Sequence, residues 1–183
     1  KKLKKEPEAL IINEEIMNFK DLKNCVVQFE KKELSILILD NIIDPRNLGA
    51  CIRSAAVLEV DALIINKHHC APLNDVAHSV SAGGAEVVKI FQISNLINCI
   101  KYLKELNIKI FGLSEHAIES YTDYNFKESC AIIMGSEEYG IRKKTLEKCD
   151  SLIKLNDNKN FKSFNVSVAT GIILSEIVRQ RKC

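Results

Sequence analysis

Three short stretches of this sequence carry side chains suited to holding an anion or to forming a polar site or interface. In DNIIDPRNLGACIR (40–53), an Asp44-Pro45 turn is followed by Asn47, which can cap a helix beginning at Leu48. Arg53 lies one turn beyond the small residues Gly49 and Ala50. Helical side chains lean toward the N-terminus, so its guanidinium is expected over those residues, near the helix end. Free N–H groups and the helix dipole attract anions there, and an arginine fork suits phosphate or carboxylate.

In MGSEEYGIR (134–142), Gly135 directly after an apolar run permits close backbone approach, and Gly140 can supply a positive-φ turn. Glu137 is then expected at the edge of a sheet. Neither GxGxxG nor GxxxxGK[ST] occurs, so the dinucleotide fingerprint and the P-loop are both absent. In KSFNVSVATG (162–171), Ser163 can cap a helix, while Asn165 and Ser167 put polar groups into the first turn of an otherwise apolar one. A buried polar group without a partner costs about 1–3 kcal/mol, which points to a site or an interface. Each stretch also has a plainer reading: a strand-to-helix connection with a surface arginine, a turn containing Gly and Glu, and local capping.

What must position these residues is an alternation of short β-rich runs and helical patterns. Strands are expected at 35–40 (SILILD), 61–66 (DALIIN), 86–91 (EVVKIF), 108–113 (IKIFGL), 130–135 (CAIIMG) and 151–155 (SLIKL). Their near-continuous apolar character suits a parallel sheet buried on both faces. Helices are expected at 48–58, 74–80, 95–105, after Gly140, and at 164–180. This is an α/β pattern with helices on both faces of the sheet, in which ligands bind beyond the carboxyl ends of the strands. All three stretches follow strands. Residues 1–34 are less regular and read as an N-terminal extension or linker, or the end of a missing domain, ahead of a domain spanning 35–183.

Bulk properties exclude several classes. At 183 residues, 46% hydrophobic and 27% charged, the chain is neither a disordered tail nor a small disulfide scaffold. No apolar run approaches the roughly 20 residues of a membrane helix. The net charge of +2 is too mild to announce a whole-domain nucleic-acid footprint. Four of the first five residues are Lys, an RNA-facing arm or a solvated terminus. Seven scattered cysteines without a CxxC pair suit a reduced compartment, with Cys51, Cys99 and Cys130 as small core residues. His68-His69-Cys70 has metal-ligand chemistry but no second ligand pair nearby, so no metal is expected. Only five of the 26 Lys and Arg residues are Arg, and three of them (Arg46, Arg53, Arg142) fall in or beside the first two stretches.

In this order, DPRNLGACIRSA, IIMGSEEYG and SFNVSVATGI resemble the three signature motifs of the SpoU (TrmH) family of RNA ribose 2′-O-methyltransferases, in the SPOUT superfamily. The likeness runs from about Ile36 to Arg181. The stretch APLNDVAHSVSAGGAE (71–86) is most similar to the RlmB-type branch, which methylates a guanosine ribose in large-subunit ribosomal RNA. The resemblance implies a SPOUT-type parallel sheet whose C-terminal segment is tucked through a loop as a deep trefoil knot, one of the exceptions to unknotted topology. It also implies S-adenosyl-L-methionine as co-substrate, RNA as partner (ribosomal, with transfer RNA the alternative), a homodimer, and a bacterial-type cytoplasm or an organelle as location.

Carried over residue by residue, Gly135, Leu155 and Phe164 fall where the family binds S-adenosylmethionine through the backbone. Asn47, Arg53, Glu137, Ser163 and Asn165 fall on catalytic or substrate-positioning positions. The family's motif-one arginine is credited with assisting hydroxyl deprotonation alongside an RNA phosphate. Because arginine stays protonated, Arg53 reads first as a positioning and electrostatic group. Two departures stand out. Glu138 occupies a position that is usually Gly, and LNDNKNFK (155–162) lacks the family's Pro and Gly. A catalytically degenerate RNA-binding relative is the alternative those departures leave open.

Overall fold

A computed structural model describes residues 16–28, 33–156, 158, 160 and 163–182. The Lys-rich start and residues 157, 159, 161 and 162 of the altered loop lie outside the described residues. Seven strands form one sheet: β1 (Ser35–Leu39), β2 (Ala62–Asn66), β3 (Ile90–Ile93), β4 (Lys109–Leu113), β5 (Glu119–Ser120), β6 (Cys130–Met134) and β7 (Ser151–Lys154). Their order is β3-β2-β1-β6-β4-β7-β5, and every pairing is parallel. In a parallel sheet all the carboxyl ends share one edge, so the loops after β1, β4, β6 and β7 are neighbours.

Strands β1, β2 and β6 are buried throughout, as apolar runs without alternation require. Successive side chains take opposite faces. Leu37, Leu39, Leu63 and Ile132 join a core with α2 (Pro45–Val57), α3 (Asp75–Ser81) and α6 (Val166–Lys182). Ile36, Ile38, Ile64 and Ile133 join a second core with α1 (Phe19–Gln28) and α4 (Leu96–Glu105). A short helix, α5 (Lys143–Leu146), follows the loop after β6.

Several boundaries differ from the sequence reading. Strand β3 starts at Ile90 instead of Glu86, because 84–86 coil into a 3₁₀ turn after positive-φ Ala82 and Gly83. That turn packs on α2, where a Cβ on Gly84 would stand 3.2 Å from Arg53 Cα. Helix α1 lies within the stretch read as irregular. Its Leu22 and Val26 are core residues, and Gln92 N–H donates to Met17 O at 2.8 Å beside it. The two-residue β5 was not expected.

Helix α2 begins at Pro45, with Asp44 and not Asn47 as its cap: Asp44 Oδ1 accepts from Arg46 N–H at 2.8 Å. Proline at the first helical position, where no N–H is needed, moves the start three residues upstream. Helix α6 begins at Val166, and Asn165, not Ser163, caps it through Oδ1, which accepts from Ser167 N–H at 3.0 Å.

The far end of α6 is fixed to the opposite edge of the sheet. Arg181 donates to four backbone carbonyls, those of Glu33, Leu34, Phe126 and Glu128, at 2.8–3.0 Å.

Candidate active site

The loop after β6 is compact. Ser136 and Gly140 exchange both backbone hydrogen bonds, at 2.8 and 3.2 Å, and Ser136 Oγ accepts from Tyr139 N–H at 3.0 Å. Gly140 has φ +63°, a conformation that glycine adopts without penalty. A Cβ on Gly135 would stand 2.1 Å from Gly140 C and 2.2 Å from Ile141 N. No larger residue fits there, so the close approach expected of Gly135 is made to the chain's own backbone.

Arg142, just past this loop, pairs with Asp40 at the end of β1. Its Nε donates to Asp40 Oδ1 at 2.7 Å, and its backbone N–H to Oδ2 at 3.3 Å. Asp40 is fully buried and also accepts from Asn66 Nδ2 at 3.4 Å. A buried carboxylate needs such partners. Arg142 therefore holds the loop to β1 from within, and its fork serves the scaffold. The sequence signal for Asp40 was a charge closing an otherwise apolar strand.

The three expected stretches meet at Asn165. Its Nδ2 donates to Asn47 Oδ1 at 3.0 Å and also to Glu137 Oε1. The same Glu137 oxygen accepts from Val166 N–H at 3.1 Å. Glu137 thus satisfies a first-turn donor of α6, where a negative charge is favoured by the helix dipole. Asn47 reaches the cluster because α2 and α6 pack side by side, with Cys51 Sγ and Thr170 Oγ1 3.5 Å apart between them.

A cleft of about 230 Å³ opens at this edge of the sheet. Gly135, Glu137, Leu155, Ser163 and Phe164 all line it, along with apolar Met134, Ile141, Val166 and Ala169. Asn47, Asn165 and Arg53 are not in the lining; Asn165 and, through it, Asn47 are joined to the cleft by Glu137. Arg53 is exposed, and among the described residues its guanidinium has no hydrogen-bond or ion-pair partner. The small residue at 49 is explained by α3: a Cβ there would lie 2.4 Å from Ala77 O. Clearance for Arg53 is not its reason.

Other chemistry is placed elsewhere. Burial pushes the Cys51 and Cys130 thiols up to about 11 and Cys99 to about 12, so none is a thiolate near neutral pH. His68 and His69 are exposed, while Cys70 Sγ donates to Leu39 O at 3.1 Å. Among the described residues, no group of three His, Cys, Asp or Glu is placed to hold a metal ion, and no helix is long and apolar enough to cross a membrane.

The SpoU rRNA Methylase family model matches residues 34–175. The 23S rRNA (guanosine-2′-O-)-methyltransferase RlmB of Escherichia coli (strain K12) is 41% identical over 161 residues, covering 88% of this chain and 65% of that protein. RlmB of Xanthomonas campestris is 39% identical over 146 residues, covering 80% and 59%. The chain thus spans about three fifths of the length of these curated relatives. Among solved structures, the TrmH/SpoU tRNA modifying enzyme of A. aeolicus superposes with a TM-score of 0.73 at 26% identity, covering 89% of this chain and 83% of that one. AviRb of Streptomyces viridochromogenes, in complex with AdoMet, does so with 0.75 at 23%, covering 83% and 59%. With its sheet, its three loops and the family match agreeing over 34–175, the chain belongs to the SpoU rRNA methylase family.

Proposed function

We propose that this chain is an S-adenosylmethionine-dependent RNA methyltransferase acting on a ribose 2′-hydroxyl, that of a guanosine in large-subunit ribosomal RNA. One observation carries the reading: Asn165 hydrogen-bonds both Asn47 and Glu137, joining three distant motifs at the mouth of one cleft. The ribosomal substrate is supported by identity of about 40% to RlmB proteins, against 26% to the transfer-RNA enzyme.

The cleft suits S-adenosylmethionine. It combines an apolar wall at Met134, Ile141, Val166 and Ala169 with Leu155 and Phe164, where the family resemblance places backbone contacts to the cofactor. The sulfonium supplies an activated methyl group. A carbon–oxygen bond to the ribose forms as the sulfur–carbon bond breaks, S-adenosylhomocysteine leaves as the neutral thioether, and the hydroxyl proton passes to solvent water. A ribose hydroxyl is a weak nucleophile, so alignment and charge must come from the protein. Glu137 and Asn165 orient the ribose, Ser163 lies beside them at the cleft wall, and Arg53 supplies a fixed positive charge for an RNA phosphate and the developing oxyanion.

We further read Arg53 as serving the cleft of a second copy. Its guanidinium has no partner among the described residues, and Val57 and Val168 expose apolar surface on α2 and α6. Residues 35–183 are the methyltransferase domain in this reading, and 1–34 an extension whose α1 is docked on β3. The C-terminal segment is read as the family's trefoil knot, supported by β6 lying between β1 and β4 and by the Arg181 contacts with 126–128. The bacterial relatives suggest a bacterial-type cytoplasm.

Mapping ribose methylation by mass spectrometry in ribosomal and transfer RNA, with and without this protein, tests the reading. A new 2′-O-methylguanosine in the large-subunit RNA is expected. An unchanged map, with no S-adenosylmethionine binding by calorimetry at millimolar ligand, would favour the degenerate relative.

A further inference from the structure

Among the described Phe and Tyr residues, two are exposed: Tyr139 at 65% and Phe164 at 43%. The other described Phe and Tyr are buried or half-buried. Both exposed rings line the same cleft, one from the loop after β6 and one from the approach to α6. A single exposed tyrosine is ordinary. The confinement of both exposed rings to the rim of the cleft that holds Glu137 is not.

Tyr139 is also held in place. Its N–H is bonded to Ser136 Oγ at 3.0 Å, and Gly140 after it is bonded to Ser136 in both directions. The backbone beneath it is packed against Gly135 with no room for a Cβ. A large apolar ring is thereby presented to solvent on a rigid loop, two residues from Glu137.

Bases splayed out of single-stranded RNA stack on aromatic faces, and the contact tolerates any base because each has a π-face. We propose that Tyr139 is a stacking platform for the base of the nucleotide whose ribose enters the cleft, fixing the sugar opposite Glu137 and Asn165. The inference rests on the methyltransferase reading for its substrate. It adds a positioning residue that acts on RNA.

The chain has no tryptophan, so Tyr139→Trp places a single fluorophore at the platform. Titration with protein-free bacterial large-subunit ribosomal RNA is expected to quench it beyond any change that S-adenosylmethionine alone produces. Tyr139→Ala is expected to weaken RNA binding and lower kcat/KM by roughly 5- to 100-fold, a larger loss than any in calorimetric affinity for S-adenosylmethionine. Tyr139→Phe keeps the ring and is expected to retain RNA binding. The proposal is overturned if Tyr139→Ala binds and methylates RNA like the parent. It is equally overturned if the emission follows protein concentration or S-adenosylmethionine with no further response to RNA. Should the parent methylate no RNA, the methyltransferase reading fails, and the quenching titration still decides whether Tyr139 meets a base.

Discussion

The side-chain amide of Asn165 donates to Asn47 Oδ1 at 3.0 Å across 118 residues of sequence. The same residue caps α6 through its Oδ1. Asn165 therefore has two separable tasks. Asn165→Ser keeps a good cap and loses the amide donor; Asn165→Ala loses both. Both variants are expected to lose about 10²-fold in methyl transfer, as a displaced positioning group does. Only Asn165→Ala is expected to lose about 1 kcal/mol of stability as well. Single-turnover methylation and urea unfolding distinguish the two tasks.

Arg53→Lys keeps the charge and loses the planar fork. Since the Arg53 guanidinium has no partner among the described residues, the thermal midpoint is expected to stay within a degree or so of the parent. Methyl transfer is expected to fall by about 10²-fold. Full retention of activity, measured by tritium transfer to RNA, would remove Arg53 from the site.

Two glycine substitutions are expected to move stability in opposite directions. Gly135→Ala drives a methyl group to within 2.1 Å of Gly140 C, so the loop must open at a cost of about 3 kcal/mol. In Gly171→Ala the new methyl meets only Ser54 Oγ at 4.0 Å, inside helix α6. That variant is expected to gain about 0.5–1 kcal/mol. Chemical denaturation of both against the parent checks the sign of each.

Asp40→Ala removes the buried partner of Arg142. Loss of one member of a fully buried pair costs about 3–5 kcal/mol. Because the Arg142 side chain keeps 31% exposure, water can reach it, and about 2 kcal/mol is expected. The loop after β6 is expected to loosen with it. Faster amide exchange at 136–140 would show this.

Arg179 grips Glu176 with two hydrogen bonds of 2.7 Å, and Gln180 adds a third at 2.8 Å. The Arg179 contact foremost holds the Glu176 carboxyl down at about 2, against an ordinary 4.5. A carboxyl depressed in the folded state stabilises fully above its ordinary value, and that contribution fades as pH falls from about 4.5 toward 2. Glu176→Gln is expected to flatten this part of the acid limb. Unfolding midpoints between pH 5 and pH 3 measure the difference.

Local composition determined a good deal by itself. The runs at 35–40, 61–66 and 130–135 read as buried parallel strands because an apolar residue at every position has no other economical place. Asn74 and Asn95 were legible as helix starts, since a cap bonds to an N–H only three residues away. The three site stretches were legible because each followed such a strand.

What only the tertiary structure decided is which of their polar groups are partners. Arg142 looked like a ligand fork and is the counter-ion of Asp40, 102 residues distant. Asn47 looked like a cap; Pro45 took the helix start upstream, and Asn165 from α6 claimed its side-chain oxygen. Capping and apolar periodicity are satisfied within one turn of chain, so sequence encodes them locally. The Asn47–Asn165–Glu137 cluster depends on the sheet order that lays α2 and α6 side by side, and no local pattern specifies that order.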